Sequence, residues 1–226
     1  MNFHIISAFP GVFENFLNES IIKRASQIGA FRYYLHDLRD YSTDKHKTVD
    51  DYAFGGGPGM ILKPEPIFYA VEDIISRFEI DDPRIILTSA MGRILDQTYV
   101  NEVASNVSCT LIIICGHYKG IDERVRQYLA TEEISIGNYI LTGGELPALI
   151  LVDSIVRLLP GVLGDFDSAT SDSFQSDLLD CAYYTRPQNF RDLTVPDILL
   201  SGHHEKIKKW RHKSSIENTG RQNLKK

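Results

Sequence analysis

Several things that would mark a secreted, membrane-bound or motor protein are missing from this chain. Its three cysteines, Cys109, Cys115 and Cys181, are an odd number without a C-x-x-C spacing. They provide neither a disulfide framework nor a zinc site, and they suit a reducing, cytoplasmic compartment. No apolar run approaches the roughly 18 residues of a membrane span. The opening MNFHIISAFP lacks the basic flank and small-residue cleavage site of a signal peptide. A membrane role is therefore not expected. There is no G-x-G-x-x-G after the first apolar stretch and no G-x-x-x-x-G-K-[ST] anywhere, which argues against a nicotinamide dehydrogenase or a nucleotide-driven motor. A G-x-S-x-G hydrolase elbow is absent too. His4, His36, His46 and His117 show no metal-ligand spacing and read as satisfied core or surface histidines.

What the chain has is an ordinary globular composition, 43% apolar and 24% charged over 226 residues, enough for one large domain or two small ones. The net charge of −6 is unevenly spread. From Gly202 to Lys226 eight Lys/Arg face only Glu205 and Glu217, a net of +6, so the preceding residues carry −12. A basic end on an acidic body fits a polyanionic partner gripped at that end, although a charge run alone reads more readily as a solvated helix.

Along the chain, FHIIS reads as a strand, Phe13 to Gln27 as a helix stopped by Gly29, and FRYYLHDL as a second strand. Arg39 to Lys63 has no usable period and contains the glycine-rich DYAFGGGPGM. Three similar units follow. RIILTSAMG leads to helical spacing from Ile94 to Ala104, TLIIICGHYKG to a helix from Ile121 to Leu129, and EISIGNYILTGGELP to the apolar helix ALILVDSIVRLL. This alternation predicts an α/β fold with a mainly parallel sheet and helices on both faces. Ligands of such sheets bind beyond the carboxyl ends of the strands, where all three small-residue loops fall. The composition changes near residue 164. The expected organisation is a domain over 1–163, an Asp/Ser-rich linker over 164–174 and a small, basic, α-helical domain over 175–226.

The segments DDYAFGGGPGM, CGHYKGIDERV, SIGNYILTGGELPALILVDSIVRLLPGVLG, DSF, LLDC, YYTRP and LLSGHHEKIKKWR occur in this order over nearly the whole chain. In this the chain closely resembles the bacterial tRNA (guanine-N1)-methyltransferases, the TrmD type of the SPOUT superfamily. The resemblance implies S-adenosyl-L-methionine as methyl donor and N1 of guanosine 37, next to the anticodon, as acceptor. It also implies a trefoil knot in the C-terminal part of the first domain and a homodimer with the active site at the subunit interface. By the same resemblance the donor pocket comprises Leu87, Thr88, Ser89, Ala90, Gly116, Tyr118, Ile136, Gly137, Asn138, Tyr139, Ile140, Leu141, Gly143, Gly144 and Pro147. Close approach to a bent cofactor needs backbone without side chains, which Gly116, Gly137, Gly143 and Gly144 allow. Any one of these glycines alone would read as a tight turn.

Guanine N1 carries a proton and is a poor nucleophile until that proton leaves, which drives negative charge onto O6. A base at N1 and a cation near O6 each lower the barrier. The resemblance assigns Asp172 as the base and Arg157 to the guanine oxygen. On local sequence alone, Asp172 is a turn residue and Arg157 an ion-pair partner of Asp153 four residues earlier. Gly55, Gly56, Gly57 and Gly59 are expected against the tRNA or the partner subunit, with lesser contributions from Asp50, Asp51 or Tyr52. Lys208, Lys209 and Arg211 are expected to face phosphates, with Ile207 and Trp210 packing inward.

The resemblance also brings Mg2+ into consideration. No residue is assigned to it, because Lys119 stands where many relatives have Glu. Tyr183 replaces a frequent His and has no assigned role. Two rival readings stay open: a SPOUT-type methyltransferase acting on another base, and a non-catalytic RNA-binding protein with the same fold.

Overall fold

The computed structural model describes residues 1–163, 173–174 and 178–223, with residues 222 and 223 described without their side chains. The chain divides into two compact units, Met1–Gly164 and Asp165–Lys226. Among the described residues no helix is long and apolar enough to cross a membrane.

The first unit is built on five parallel strands: β1 (Asn2–Ser7), β2 (Arg32–Asp37), β5 (Arg84–Ile94), β6 (Thr110–Cys115) and β7 (Glu132–Ser135), in the spatial order β2-β1-β6-β5-β7. Both faces of this sheet are covered, which is why its strands read as continuous apolar runs. Side chains alternate between two cores. Phe3, Ile5, Ile86, Leu111 and Ile113 join the helices α1 (Gly11–Leu17), α2 (Ser20–Gln27), α4 (Gln97–Ser105) and α6 (Glu145–Val156). Ile6, Ile85, Leu87, Ile112 and Ile114 join α3 (Pro64–Phe78) and α5 (Glu123–Tyr128).

Three expectations need correction. The single helix over 13–27 is two, because Glu19 is extended and Ser20 takes a positive φ of 49°, breaking the backbone while Phe13, Leu17, Ile22 and Ala25 stay buried. The segment 39–63 is not without structure. It holds a short 3-10 turn (Leu38–Tyr41) and an antiparallel hairpin, β3 (Asp50–Tyr52) with β4 (Met60–Leu62), whose connection is the glycine-rich stretch. α3 was not expected at all. Proline at its first position is tolerated because that N–H has no intrahelical acceptor, and Ile67, Ala70, Val71 and Ile74 bury one face.

The second unit is not purely helical. It contains a hairpin, β8 (Asn189–Phe190) with β9 (Leu193–Thr194), a four-residue helix Asp197–Leu200, and the long helix His204–Asn223. An extended segment is stitched to that helix by side chains. Thr219 Oγ1 accepts from Leu179 N–H, Ser214 Oγ accepts from Ala182 N–H, and Asn218 Nδ2 donates to the Asp180 carbonyl. Ile207 and Trp210 are half-buried, with the Trp210 ring 6.2 Å from that of Tyr184, while Lys208, Lys209 and Arg211 are exposed.

Candidate active site

A crevice of about 440 Å³ opens at the carboxyl ends of β5, β6 and β7. Its walls are the loops that leave these strands. The first is 88–92, where four residues bulge out before β5 resumes its pairing with β7. The second is 116–121 and the third 136–144. Every residue expected in the donor pocket lines this crevice except Asn138.

The loops meet through backbone. Gly144 N–H donates to the Gly116 carbonyl at 2.6 Å, and His117 bridges Gly143. No side chain fits at the crossing. A Cβ on Gly144 would stand 2.0 Å from Thr88 Oγ1 and 2.7 Å from Gly116 N, and one on Gly137 would lie 2.5 Å from the Tyr139 ring. Thr88 Oγ1 donates back to the Ile114 carbonyl, tying the first loop to β6. Burial pushes the Cys115 thiol beneath this crossing well up, so it is an inert wall. Burial also raises the Tyr118 phenol.

Sequence reasoning missed several lining residues: His117, Glu133, Arg126 and Thr142 among them. His117 was taken for a satisfied histidine. Its neighbour Glu145 is buried in the first turn of α6. Nothing in the one-dimensional spacing brings these two together.

The acceptor-side residues lie elsewhere. Arg157 caps the C-terminus of α6, whereas the crevice adjoins its N-terminus. Over 12 helical residues these ends stand about 18 Å apart. Within one chain Arg157 is thus not brought to the crevice. Burial raises the Asp153 carboxyl, and the nearby Arg157 charge offsets that rise only in part. Asp172 lies outside the described residues.

Gly55, Gly56, Gly57 and Gly59 form the exposed hairpin tip, all at positive φ between 78° and 112°. A Cβ on any of the first three would meet nothing within 4 Å, and Phe54 beside them is fully exposed. The hairpin is fastened to the crevice wall. Lys119 N–H donates to Met60 O, Leu62 N–H to Gly120 O and Asp122 N–H to Leu62 O. Among the described residues no group of three or more His, Cys, Asp and Glu is arranged to hold a metal ion. Tyr183 donates to the Asp180 carboxylate and is exposed.

An all-parallel sheet with a glycine-walled crevice beyond the carboxyl ends of β5, β6 and β7 defines an α/β protein of the class in which such crevices are ligand sites. Comparison with known proteins narrows the class. Residues 1–225 match the family model described as tRNA (Guanine-1)-methyltransferase TrmD, and the chain belongs to that family. It is 53% identical to the tRNA (guanine-N(1)-)-methyltransferase of Geobacillus kaustophilus (strain HTA426), over 97% of this chain and 88% of that one. It is 50% identical to the protein of that name from Moorella thermoacetica, over 98% and 88%. The crystal structure of tRNA (m1G37) methyltransferase from Aquifex aeolicus superposes with a TM-score of 0.81 at 36% identity, covering 99% of this chain and 93% of that one.

Proposed function

We propose that this chain is a tRNA (guanine-N1)-methyltransferase that moves a methyl group from S-adenosyl-L-methionine to N1 of guanosine 37, in the cytoplasm. The observation that carries the reading is the crevice, whose crossing admits no side chain at Gly144 and which has room for a folded nucleoside. Leu87 to Ala90, Gly116, Tyr118, Ile136, Gly137, Tyr139 to Leu141, Gly143, Gly144 and Pro147 would hold the donor. When bound, the donor supplies an electrophilic methyl on a sulfonium. Asp172 takes the proton from guanine N1, and Arg157 stabilises the charge that develops on O6. A free Asp is a weak base, with a pKa of about 3.9, so desolvation on docking and the Arg157 charge supply the difference. No step is derived through magnesium.

The separation of Arg157 from the crevice supports a site shared between two copies. One chain offers the donor crevice and the other the acceptor-side groups. Leu146 and Ile150, exposed one turn apart on α6, and Val12 and Phe16 on α1 give apolar surface for such a dimer. The trefoil knot belongs to the same reading and rests on family membership.

Mass-spectrometric mapping of tRNA after incubation with donor tests the activity. Methyl on N1 of guanosine 37 is expected, lost by roughly 10²-fold in rate in Asp172→Asn. Methylation of another base, or none, overturns the reading. Mixing Asp172→Asn with Gly143→Arg subunits tests the sharing, since one site of each mixed dimer keeps both halves. Proven heterodimers without activity would place each site within one chain.

A further inference from the structure

Among the described residues two buried side-chain polar atoms lack a hydrogen-bond partner, His117 Nδ1 and Glu133 Oε1, and both residues line the crevice. Such orphans are costly and call for a reason. For His117 the reason lies behind the wall. Nδ1 faces Glu145 Oε2 at 3.5 Å, too long for a full hydrogen bond but within ion-pair range. Glu145 is only 6% exposed, and its other oxygen accepts from Ser7 Oγ at 2.7 Å. Ser7 Oγ in turn accepts from Phe9 N–H, and the Phe9 ring packs against His117 with centroids 4.5 Å apart. Gly143 leaves room for the pair. A Cβ there would stand 2.2 Å from Glu145 Oε2 and 2.5 Å from His117 Nδ1.

The charged lining residues otherwise balance. Arg126 is paired with Glu123, and the positive Lys119 is offset in number by the negative Glu133. The Glu145 carboxylate is the charge left over.

We propose that the Ser7–Glu145–His117 chain makes the crevice selective for a cationic ligand. Glu145 sets negative charge just behind the wall, and His117 presents it at the crevice surface as a hydrogen-bond acceptor at Nε2. A carboxylate facing Nδ1 selects the tautomer protonated there, which leaves Nε2 to accept from a hydroxyl or ammonium. The inference rests on the reading that the ligand is S-adenosyl-L-methionine. That molecule has a positively charged sulfur before methyl transfer and a neutral one afterwards. A negative wall therefore favours the charged donor over its spent product, and the product is held less tightly. Glu145 and His117 are positioning and selectivity residues in this scheme, with no bond made or broken at either.

Calorimetric titration with S-adenosyl-L-methionine and with S-adenosyl-L-homocysteine tests it. Glu145→Gln is expected to weaken the charged compound about tenfold more than the neutral one. His117→Gln should move the same ratio in the same direction by less. Equal losses for both compounds, the mark of a merely structural role, overturn the proposal, as does an unchanged ratio. If a thermal scan shows Glu145→Gln unfolded, the ratio in His117→Gln decides. Wild-type protein that binds neither compound would overturn the donor assignment and this inference with it. Wild-type binding with ratios unmoved by substitution overturns this inference alone.

Discussion

Glycines occupy two regions of the first unit for opposite reasons. At the crevice, Gly143 and Gly144 are required by crowding, because neighbouring atoms already stand 2.0–2.5 Å from where a Cβ would be. At the hairpin tip, Gly55 to Gly57 are required by backbone, at φ of 78° to 112° with empty space around them. The first region is closed by the chain's own packing. The second holds its unusual conformation in open space, with no described residue packed where a side chain would stand.

The interior side of this contrast breaks most strongly in acid. His4 Nδ1 and His36 Nε2 lie 3.1 Å apart in the core beneath α3, and sharing a proton between them needs at least one ring neutral. Burial first, then the neighbouring charges (His36 on His4, Arg77 on His36), holds both pKa values down to about 4, with Asp73 opposing at His36 and Tyr41 bridging His36 to Asp73. The unfolded chain therefore binds more protons between pH 6.5 and 4. Stability is full above about 6.5 and falls as the pH drops toward 4, by at most on the order of 3 kcal/mol per histidine. Chemical denaturation at pH 7 and pH 4.5 reads the loss, and it should fall by about half in His4→Phe, because burial and Arg77 still hold His36 down.

Next in size is Gly144→Ala, whose Cβ would press on backbone as well as on Thr88. A cost of about 3 kcal/mol or more is expected, together with loss of donor binding. A normal melting midpoint with intact binding would show that the crossing can relax. Gly57→Ala should cost less, about 1–2 kcal/mol for an L residue held at positive φ, and should leave donor affinity alone while weakening tRNA. Donor and tRNA titrations on the same variant separate the two regions. The smallest effects belong to Lys208→Ala, Lys209→Ala and Arg211→Ala in the basic helix. Each should weaken tRNA binding a few-fold and reduce the salt slope by about one unit. An unchanged slope would make that face merely solvated.

How much of this was legible in the sequence depended on the range of the interaction. β1 and β6 were plain, because a strand buried on both faces needs an unbroken apolar run such as FHIIS or TLIIIC. The break between α1 and α2 has no glycine or proline to mark it, and its one signal is that the buried positions step by five residues, from Leu17 to Ile22, where a continuous helix steps by three or four. β3 and β4 are three residues each, too short to show a period. α3 could have been read from Pro64 and the spacing of Ile67, Ala70, Val71 and Ile74. Among the site residues, the crevice loops were legible through the resemblance, which assigns them as a set. His117 and Glu145 were not, because their pairing depends on two loops crossing at a glycine 26 residues after one and two before the other. The distance between Arg157 and the crevice is likewise a property of the folded helix and not of the sequence spacing.

The three backbone hydrogen bonds that fasten β4 to residues 119–122 have a consequence for the order in which two substrates meet the protein. The same stretch of chain is at once the root of the exposed hairpin and a wall of the crevice. Under the proposed function, a rearrangement that tRNA imposed on the first would reach the second as a change in free energy. Reciprocity then holds: by whatever factor the tRNA alters the hold on the small molecule, the small molecule alters the hold on the tRNA. Neither dissociation constant is then a fixed property of its own site, and each has meaning only with the occupancy of the other stated.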